Sequence, residues 1–194
     1  MATSDQPAGT AKIEITGKGN FIGTISKTFT IQAKTLSTVD VEISDGYLPV
    51  YNGLAHKPLL SDLDLGEHVT IDDLTITYGE NINASTLASI TITGKRNYSG
   101  QLEKTFTIAK KVISESDITI TNIPNVVYNG TAYTPSIVMM YNSMQLTTSD
   151  YTLSYLNNIN VGEATVVITA NNINYSGSHT VKFNITKRTV TAGA

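Results

Sequence analysis

The chain has 194 residues, of which 40% are hydrophobic and 15% are charged, with a net charge of −3 and no cysteine. A weakly acidic chain lacks the basic surface that a nucleic-acid partner needs, and the missing thiols exclude disulfides, zinc–thiolate sites and thiol catalysis. No apolar run approaches the roughly 20 residues of a membrane span, and the first residues do not resemble a signal peptide.

The first predicted element is a β-hairpin at residues 9–33. Two segments of alternating polar and apolar residues flank a turn rich in glycine and asparagine, which is typical of a hairpin. The same pattern returns at residues 91–108 and again at residues 168–185. The sequence therefore contains one hairpin three times.

A period of 77 residues relates the rest of the chain. Seven pairs show it: Asp40 and Asp117, Tyr51 and Tyr128, Gly53 and Gly130, Pro58 and Pro135, Tyr78 and Tyr155, Tyr98 and Tyr175, and Phe106 and Phe183. Solenoid repeats are shorter, whereas a unit of this length approaches the size at which a domain supports its own core. The period predicts separate small domains in tandem.

Four segments follow from the phase of this repeat. Residues 1–33 are predicted to be the trailing hairpin of a preceding repeat, 34–110 and 111–187 two full repeats, and 188–194 the start of another repeat or a tail. A second phase, in which each hairpin belongs with the strands that follow it, also fits the sequence. The junctions at 31–35 and 108–112 contain no Gly or Pro. Because flexible linkers are rich in Gly and Ser, we expect a fixed relation between repeats, a rod-like shape in solution, and a chain that is a slice of a longer array.

Each full repeat is predicted to be a β-sandwich of about six short strands. Strands are expected at 39–43 and 118–120, Asn-Gly turns at 52–53 and 129–130, second strands from Pro58 to Leu65 and from Pro135 to Tyr141, third strands at 73–78 and 150–155, and then the hairpin. Short strands with turns every 8–12 residues indicate a sandwich. The expected core of the first hairpin copy is Ile90, Ile92, Phe106 and Ile108.

A series of motifs in the second repeat carries a family resemblance. The motifs are Tyr128-Asn129-Gly130, Pro135, Asp150-Tyr151, Tyr155-Leu156-Asn157-Asn158, Gly162-Glu163-Ala164, Asn174-Tyr175-Ser176-Gly177 and Phe183-Asn184-Ile185. This series resembles the immunoglobulin-like repeats of bacterial surface proteins that are named for a Tyr-Asp-Gly motif. The first repeat departs from it, with residues 85–88 where Gly-x-Ala is expected. The resemblance implies an exported, surface-attached protein whose repeats act as stalks or adhesive modules, with no catalytic residue and no cofactor.

An acidic loop at residues 62–73 resembles the start of a calcium site. Asp62, Asp64 and Glu67 lie close in sequence, and a hard cation takes several oxygen ligands from one turn. The distal ligands of an EF-hand are absent, and the counterpart loop at 139–144 has no carboxylate, so we expect no metal here. Asp73 recurs as Asp150 and is predicted to accept hydrogen bonds from nearby backbone.

Other candidate residues have structural explanations. His56, His68 and His179 occupy different repeat positions and are predicted to be exposed to solvent. Asn-x-Ser/Thr triplets fall mostly in predicted turns: Asn83, Asn97, Asn129, Asn174 and Asn184.

Tyrosines that recur by repeat position are predicted to be scaffold residues. Tyr133 and Tyr141 lack tyrosine counterparts and are the candidates for a recognition surface.

The sequence favours a non-enzymatic spacer, without metal or cofactor, that forms part of a bacterial cell-surface or secreted protein. Its expected partners are neighbouring repeats, with neither nucleic acid nor a membrane span. The alternative is an adhesive module that binds a glycan or a host protein through the 62–73 or 139–144 loop of one repeat. The hairpin at 9–33 lacks front strands and an isolated hairpin is marginal in water, so we expect it to pack on the first full repeat or to associate with another molecule.

Overall fold

The structure is a computed structural model that describes residues 7–191. These residues form eighteen β-strands, two 3₁₀ turns (Leu60–Asp62 and Ile71–Asp73) and no α-helix. The strands are β1 Gly9–Thr16, β2 Thr24–Ile31, β3 Lys34–Thr35, β4 Val41–Ile43, β5 Leu63–Leu65, β6 Leu74–Tyr78, β7 Ser85–Gly94, β8 Tyr98–Ser99, β9 Gln101–Ile108, β10 Lys111–Val112, β11 Thr119–Ile120, β12 Val126–Val127, β13 Met139–Tyr141, β14 Met144–Leu146, β15 Tyr151–Leu156, β16 Gly162–Ala170, β17 Tyr175–Ser176 and β18 Ser178–Thr186. The predicted all-β class is confirmed.

The chain divides into two compact units that are not contiguous in sequence. The first comprises the residues up to Tyr47, Lys57–Glu80 and Leu87–Phe106. The second comprises Leu48–His56, Asn81–Thr86 and the residues from Thr107 onward. Two segments of the first sequence repeat, 48–56 and 81–86, therefore belong to the compact unit that contains the second repeat.

The second unit contains two larger sheets around one core. A four-stranded sheet has the order β12-β18-β16-β15 and a three-stranded sheet has the order β11-β13-β14. Both sheets contribute to one buried cluster, which includes Met139, Tyr141, Leu146, Ala164, Val166, Ile168, Phe183 and Ile185. Inward residues alternate along β16, as expected for a strand with one buried face, and each fully buried aliphatic side chain contributes about 2 kcal/mol. Two sheets that share a core are consistent with a β-sandwich.

The first unit contains smaller sheets, with the orders β1-β2, β3-β8, β4-β5 and β6-β7-β9. The predicted core residues of the first hairpin copy are buried, since Ile90 and Ile92 are fully inaccessible and Phe106 is 7% exposed. Short parallel pairs recur at equal repeat positions, because Lys34 lies opposite Tyr98 in β3–β8 and Lys111 lies opposite Tyr175 in β10–β17.

Two strand predictions are wrong in their limits. The second strand begins at Leu63, because the backbone after Pro58 first forms the 3₁₀ turn Leu60–Asp62, which the Asp62 carboxylate caps by accepting from the Leu59 amide at 2.7 Å. The first strand begins at Val41, and Val39 is 78% exposed in the preceding turn.

The N-terminal hairpin forms in the predicted place. Strands β1 and β2 pair antiparallel over eight residues each, from Gly9 opposite Ile31 to Thr16 opposite Thr24. No third described strand extends this sheet. Its apolar side chains are exposed, with Ile13 at 53% and Phe29 at 47%. The expectation that this face packs on the first repeat is not met among residues 7–191.

Candidate functional site

The predicted role of Asp73 and Asp150 as turn residues is confirmed. The Asp73 carboxylate accepts from the backbone N–H of Thr70 at 3.2 Å and from its hydroxyl at 2.6 Å. One period later, Asp150 accepts from the N–H and hydroxyl of Thr147 at 2.6 and 3.0 Å. These carboxylates satisfy backbone donors at the start of a strand, where no other group would.

The acidic loop does not gather its carboxylates around one point. Asp62 caps the first 3₁₀ turn, and Asp72 lies 3.3 Å from the guanidinium of Arg96 in an exposed ion pair. Across the described part of the chain, no group of three or more histidine, aspartate or glutamate side chains is placed to hold a metal ion.

The three histidines differ in exposure. His68 is exposed as predicted, but His179 and His56 are half-buried. Nε2 of His56 is buried without a hydrogen-bond partner. Burial lowers the pKa of His56, against the opposing effect of a hydrogen bond to the Val50 backbone. The prediction of full exposure is wrong for His56 because the 48–56 segment packs inside the second unit.

Recurring tyrosines serve the scaffold, as predicted. The Tyr78 hydroxyl donates to the carbonyl of Pro58 at 3.2 Å, and the Tyr155 hydroxyl donates to the carbonyl of Pro135 at 3.1 Å. The same bond is thus made in each repeat, and burial raises the pKa of Tyr155. A tyrosine that closes a loop onto backbone explains why its position repeats.

The predicted recognition surface is not present at Tyr141. This residue is 5% exposed, and its hydroxyl donates to the carbonyl of Tyr51 at 3.1 Å. Tyr133 is half-buried and donates to the carbonyl of Val127. Both hydroxyls bond to backbone rather than pointing freely into solvent.

A polar cluster in the second unit is built instead from the two segments of the first repeat and the turn around β17. We call it the Asn–Tyr cluster and define it as Tyr51, Asn83, Tyr141, Asn174 and Tyr175. Asn172 shapes its turn, since its side-chain oxygen accepts from the backbone N–H groups of Asn174 and Tyr175 at 2.7 and 3.1 Å. This arrangement leaves the Asn174 side chain free to bond elsewhere.

Asn174 uses both ends of its amide. Its oxygen accepts from the backbone N–H of Ala84 at 2.9 Å, and its nitrogen donates to the side-chain oxygen of Asn83 at 3.0 Å. The Lys111 N–H also bonds to the Asn174 carbonyl, at 2.9 Å. One residue therefore fixes the 81–86 segment and the start of the second repeat.

Tyr51 fixes the 48–56 segment. Its ring meets the ring of Tyr175 edge to face, with 5.3 Å between centroids and 79° between planes. Such pairs contribute about 0.5–1.5 kcal/mol beyond their buried area. The Tyr51 N–H donates to the carbonyl of Ala109 at 2.8 Å. Burial, followed by the effect of the neighbouring Tyr51, raises the pKa of Tyr175 well above its ordinary value.

A buried lysine lies against the cluster. Nζ of Lys111 is 2.6 Å from a carboxylate oxygen of Asp117 and 5.0 Å from the ring centroid of Tyr141, and its side chain is 6% exposed. Burial lowers the pKa of Lys111, but the hydrogen bonds to Asp117 and Glu115 outweigh this effect and hold that pKa above its usual value. In the first unit, Lys34 and Asp40 form the equivalent pair at 2.6 Å.

These polar groups bond to one another and to backbone, so the cluster holds chain segments together. Sequence reasoning placed Asn174 in a turn but missed its bonds to residues 83 and 84. A signal was present, because Asn97 stands 77 residues earlier, and in the first unit its side-chain oxygen accepts from the Ala8 N–H at 2.8 Å. The same type of bond thus occurs twice.

The sequence matches no family model, and neither a curated protein nor a solved structure is similar to the chain. No helix formed by residues 7–191 is both long enough and apolar enough to cross a membrane.

Proposed function

We propose that this chain consists of tandem immunoglobulin-like β-sandwich repeats that act as a non-enzymatic spacer in an exported bacterial surface protein. The observation that supports it best is the Asn–Tyr cluster, in which segments of one repeat are hydrogen-bonded into the compact unit of the next. A spacer transmits position only if its repeats are coupled, and Asn174 and Tyr51 supply this coupling. The resemblance to surface repeats supplies the proposed location.

The loops favoured for an adhesive role have other partners. The tip of the 139–144 loop is Asn142-Ser143, and the Asn142 side chain donates to the carbonyl of Asn52 at 3.5 Å. The carboxylates of the 62–73 loop cap turns or form ion pairs. These contacts favour the spacer over the adhesive module.

Distance measurements between two spin labels test the coupling. The chain has no cysteine, so Thr105→Cys and Thr180→Cys, both at exposed positions of β9 and β18, label one site in each unit. We expect a narrow distance distribution that broadens when Asn174→Ala is added. Asn184→Ala, which alters an exposed asparagine of β18, is the matched control and leaves the width unchanged. A distribution that is broad in the unaltered chain contradicts the spacer.

A further inference from the structure

The hairpin of β1 and β2 has two chemically different faces. The apolar side, called the hairpin face, consists of three cross-strand pairs, which are Ala11 with Phe29, Ile13 with Lys27, and Ile15 with Ile25. Residues opposite each other in an antiparallel pair project to the same side. The other side carries only Thr, Ser, Lys and Glu between residues 10 and 30 on the two strands. The hairpin is therefore built to bury one face.

The repeats show what this face is in a complete sheet. Ile13 and Ile15 are 53% and 59% exposed, whereas their counterparts one and two periods later, Ile90, Ile92, Val166 and Ile168, are all 0% exposed. Phe29 is 47% exposed, and its counterparts Phe106 and Phe183 are 7% and 3% exposed. The same side-chain types at the same register positions are core residues elsewhere in the chain.

In the second unit, a second β-layer (β11-β13-β14) shares the core with the sheet that contains these positions. The missing partner of the hairpin face is thus another β-layer with an uncovered apolar side. Within residues 7–191, the hairpin itself is the β-layer whose core positions are exposed. The same face on another molecule meets that description.

We propose that the hairpin face is a dimerisation surface, on which the hairpins of two copies of this chain pack face to face about a twofold axis. Twofold packing brings identical apolar patches together, which is the commonest arrangement of homodimers. The exposed side chains bury on the order of 1,000 Å² when two copies meet, at the low end of specific interfaces. We therefore expect a weak, reversible dimer with a dissociation constant of about 100 µM, since area alone does not give affinity. This surface is separate from the Asn–Tyr cluster and does not depend on the spacer proposal.

Lys27 explains why the dimer is weak. It is the charged member of the hairpin face and lies opposite Ile13, in the middle of the strand pair. Two copies bring two ammonium groups to one interface, where each must reach the rim to stay hydrated. Replacing this lysine by an aliphatic residue completes the apolar face.

Sedimentation of the full chain over a concentration series tests the proposal. We expect Lys27→Ile to tighten the dimer by about tenfold or more, because it removes two like charges from the interface. Ile13→Lys abolishes the dimer, whereas Thr30→Lys, which adds the same charge on the polar side, leaves it unchanged. The proposal is overturned if Lys27→Ile is monomeric at millimolar concentration, or if Ile13→Lys and Thr30→Lys behave alike.

Cysteine crosslinking identifies the face directly in the cysteine-free chain. Under mild oxidation we expect Lys27→Cys to form a disulfide-linked dimer and the neighbouring Thr28→Cys, on the opposite face, to remain uncrosslinked. Equal crosslinking at the two positions, or crosslinking of Thr28→Cys alone, shows association by another surface and overturns the proposal. Because both variants keep Ile13, Ile15 and Phe29, the result does not depend on a core substitution.

Discussion

At the scale of single residues, the second unit relies on side chains that satisfy backbone. Asn174 is suited to its position because one amide supplies both an acceptor for the Ala84 N–H and a donor for Asn83. An aspartate would keep the acceptor and lose the donor. A backbone N–H left without a partner costs about 1–3 kcal/mol, so this residue is constrained by its neighbours rather than by a ligand.

Asp40 gives the first unit a pH dependence. Hydrogen bonds from Lys34 and Ser37 lower the pKa of Asp40 to about 2, from an ordinary value of 3.8. Because the pKa is lower in the folded state, this carboxylate stabilises the fold above about pH 4, and the contribution is lost as the pH falls from about 4 to about 2. We expect Asp40→Asn to be less stable at pH 7 and to lose less melting temperature than the unaltered chain over that interval.

Thermal unfolding followed at pH 7, 4, 3 and 2 measures this difference. The matched control is Asp64→Asn, at an exposed position of β5. If Asp40→Asn and Asp64→Asn show the same pH profile, the ion pair with Lys34 does not carry the dependence.

At the scale of elements, the Asn-Gly turns are the same backbone device in two surroundings. Gly53 and Gly130 have φ values of 81° and 82°, which glycine adopts without steric cost. In both turns the asparagine side chain accepts from the N–H two residues later, at 2.9 Å. The predicted turns are confirmed, although they close on this side-chain bond and do not join two paired strands.

The two glycines predict different costs for one substitution. A Cβ at Gly130 meets only the Tyr128 hydroxyl at 4.0 Å, so Gly130→Ala pays the backbone strain alone, about 1 kcal/mol. A Cβ at Gly53 lies 2.4 Å from Cε of Met144, so Gly53→Ala also displaces that side chain. We expect Gly53→Ala to be the more destabilising in urea unfolding.

A double-mutant cycle isolates the contact with Met144. Met144→Ala removes the obstructing atoms and brings the cost of Gly53→Ala down to that of Gly130→Ala. Strict additivity of Gly53→Ala and Met144→Ala would show that the 48–56 segment does not pack on β14 as described.

At the scale of the whole molecule, sequence reasoning succeeded where the pattern is local. Alternation located β16 and β18, and the period identified Tyr78 and Tyr155 as scaffold residues because both close the same loop. The 3₁₀ turn after Pro58 was missed because its cap depends on one carboxylate rather than on hydrophobic pattern. The burial of Tyr141 was missed because its partner, Tyr51, lies 90 residues away.

The assignment of segments to units was also beyond the sequence. Periodicity places residues 48–56 and 81–86 in the first repeat, while their contacts place them in the second unit. Such contacts depend on the packing of side chains from distant parts of the chain, which a repeat pattern does not encode. The compact units therefore do not coincide with the sequence period.

Hydrogen exchange of individual amides tests this assignment most directly. Ile92 and Ile168 occupy the same repeat position and are both fully buried, so Ile92→Val and Ile168→Val destabilise the two units by similar amounts, about 0.5–1.5 kcal/mol. The account predicts that the amides of Tyr51 and Ala84 exchange slowly, and that Ile168→Val lowers their protection while Ile92→Val does not. Protection that follows Ile92→Val instead, or rapid exchange of both amides in the unaltered chain, would contradict it.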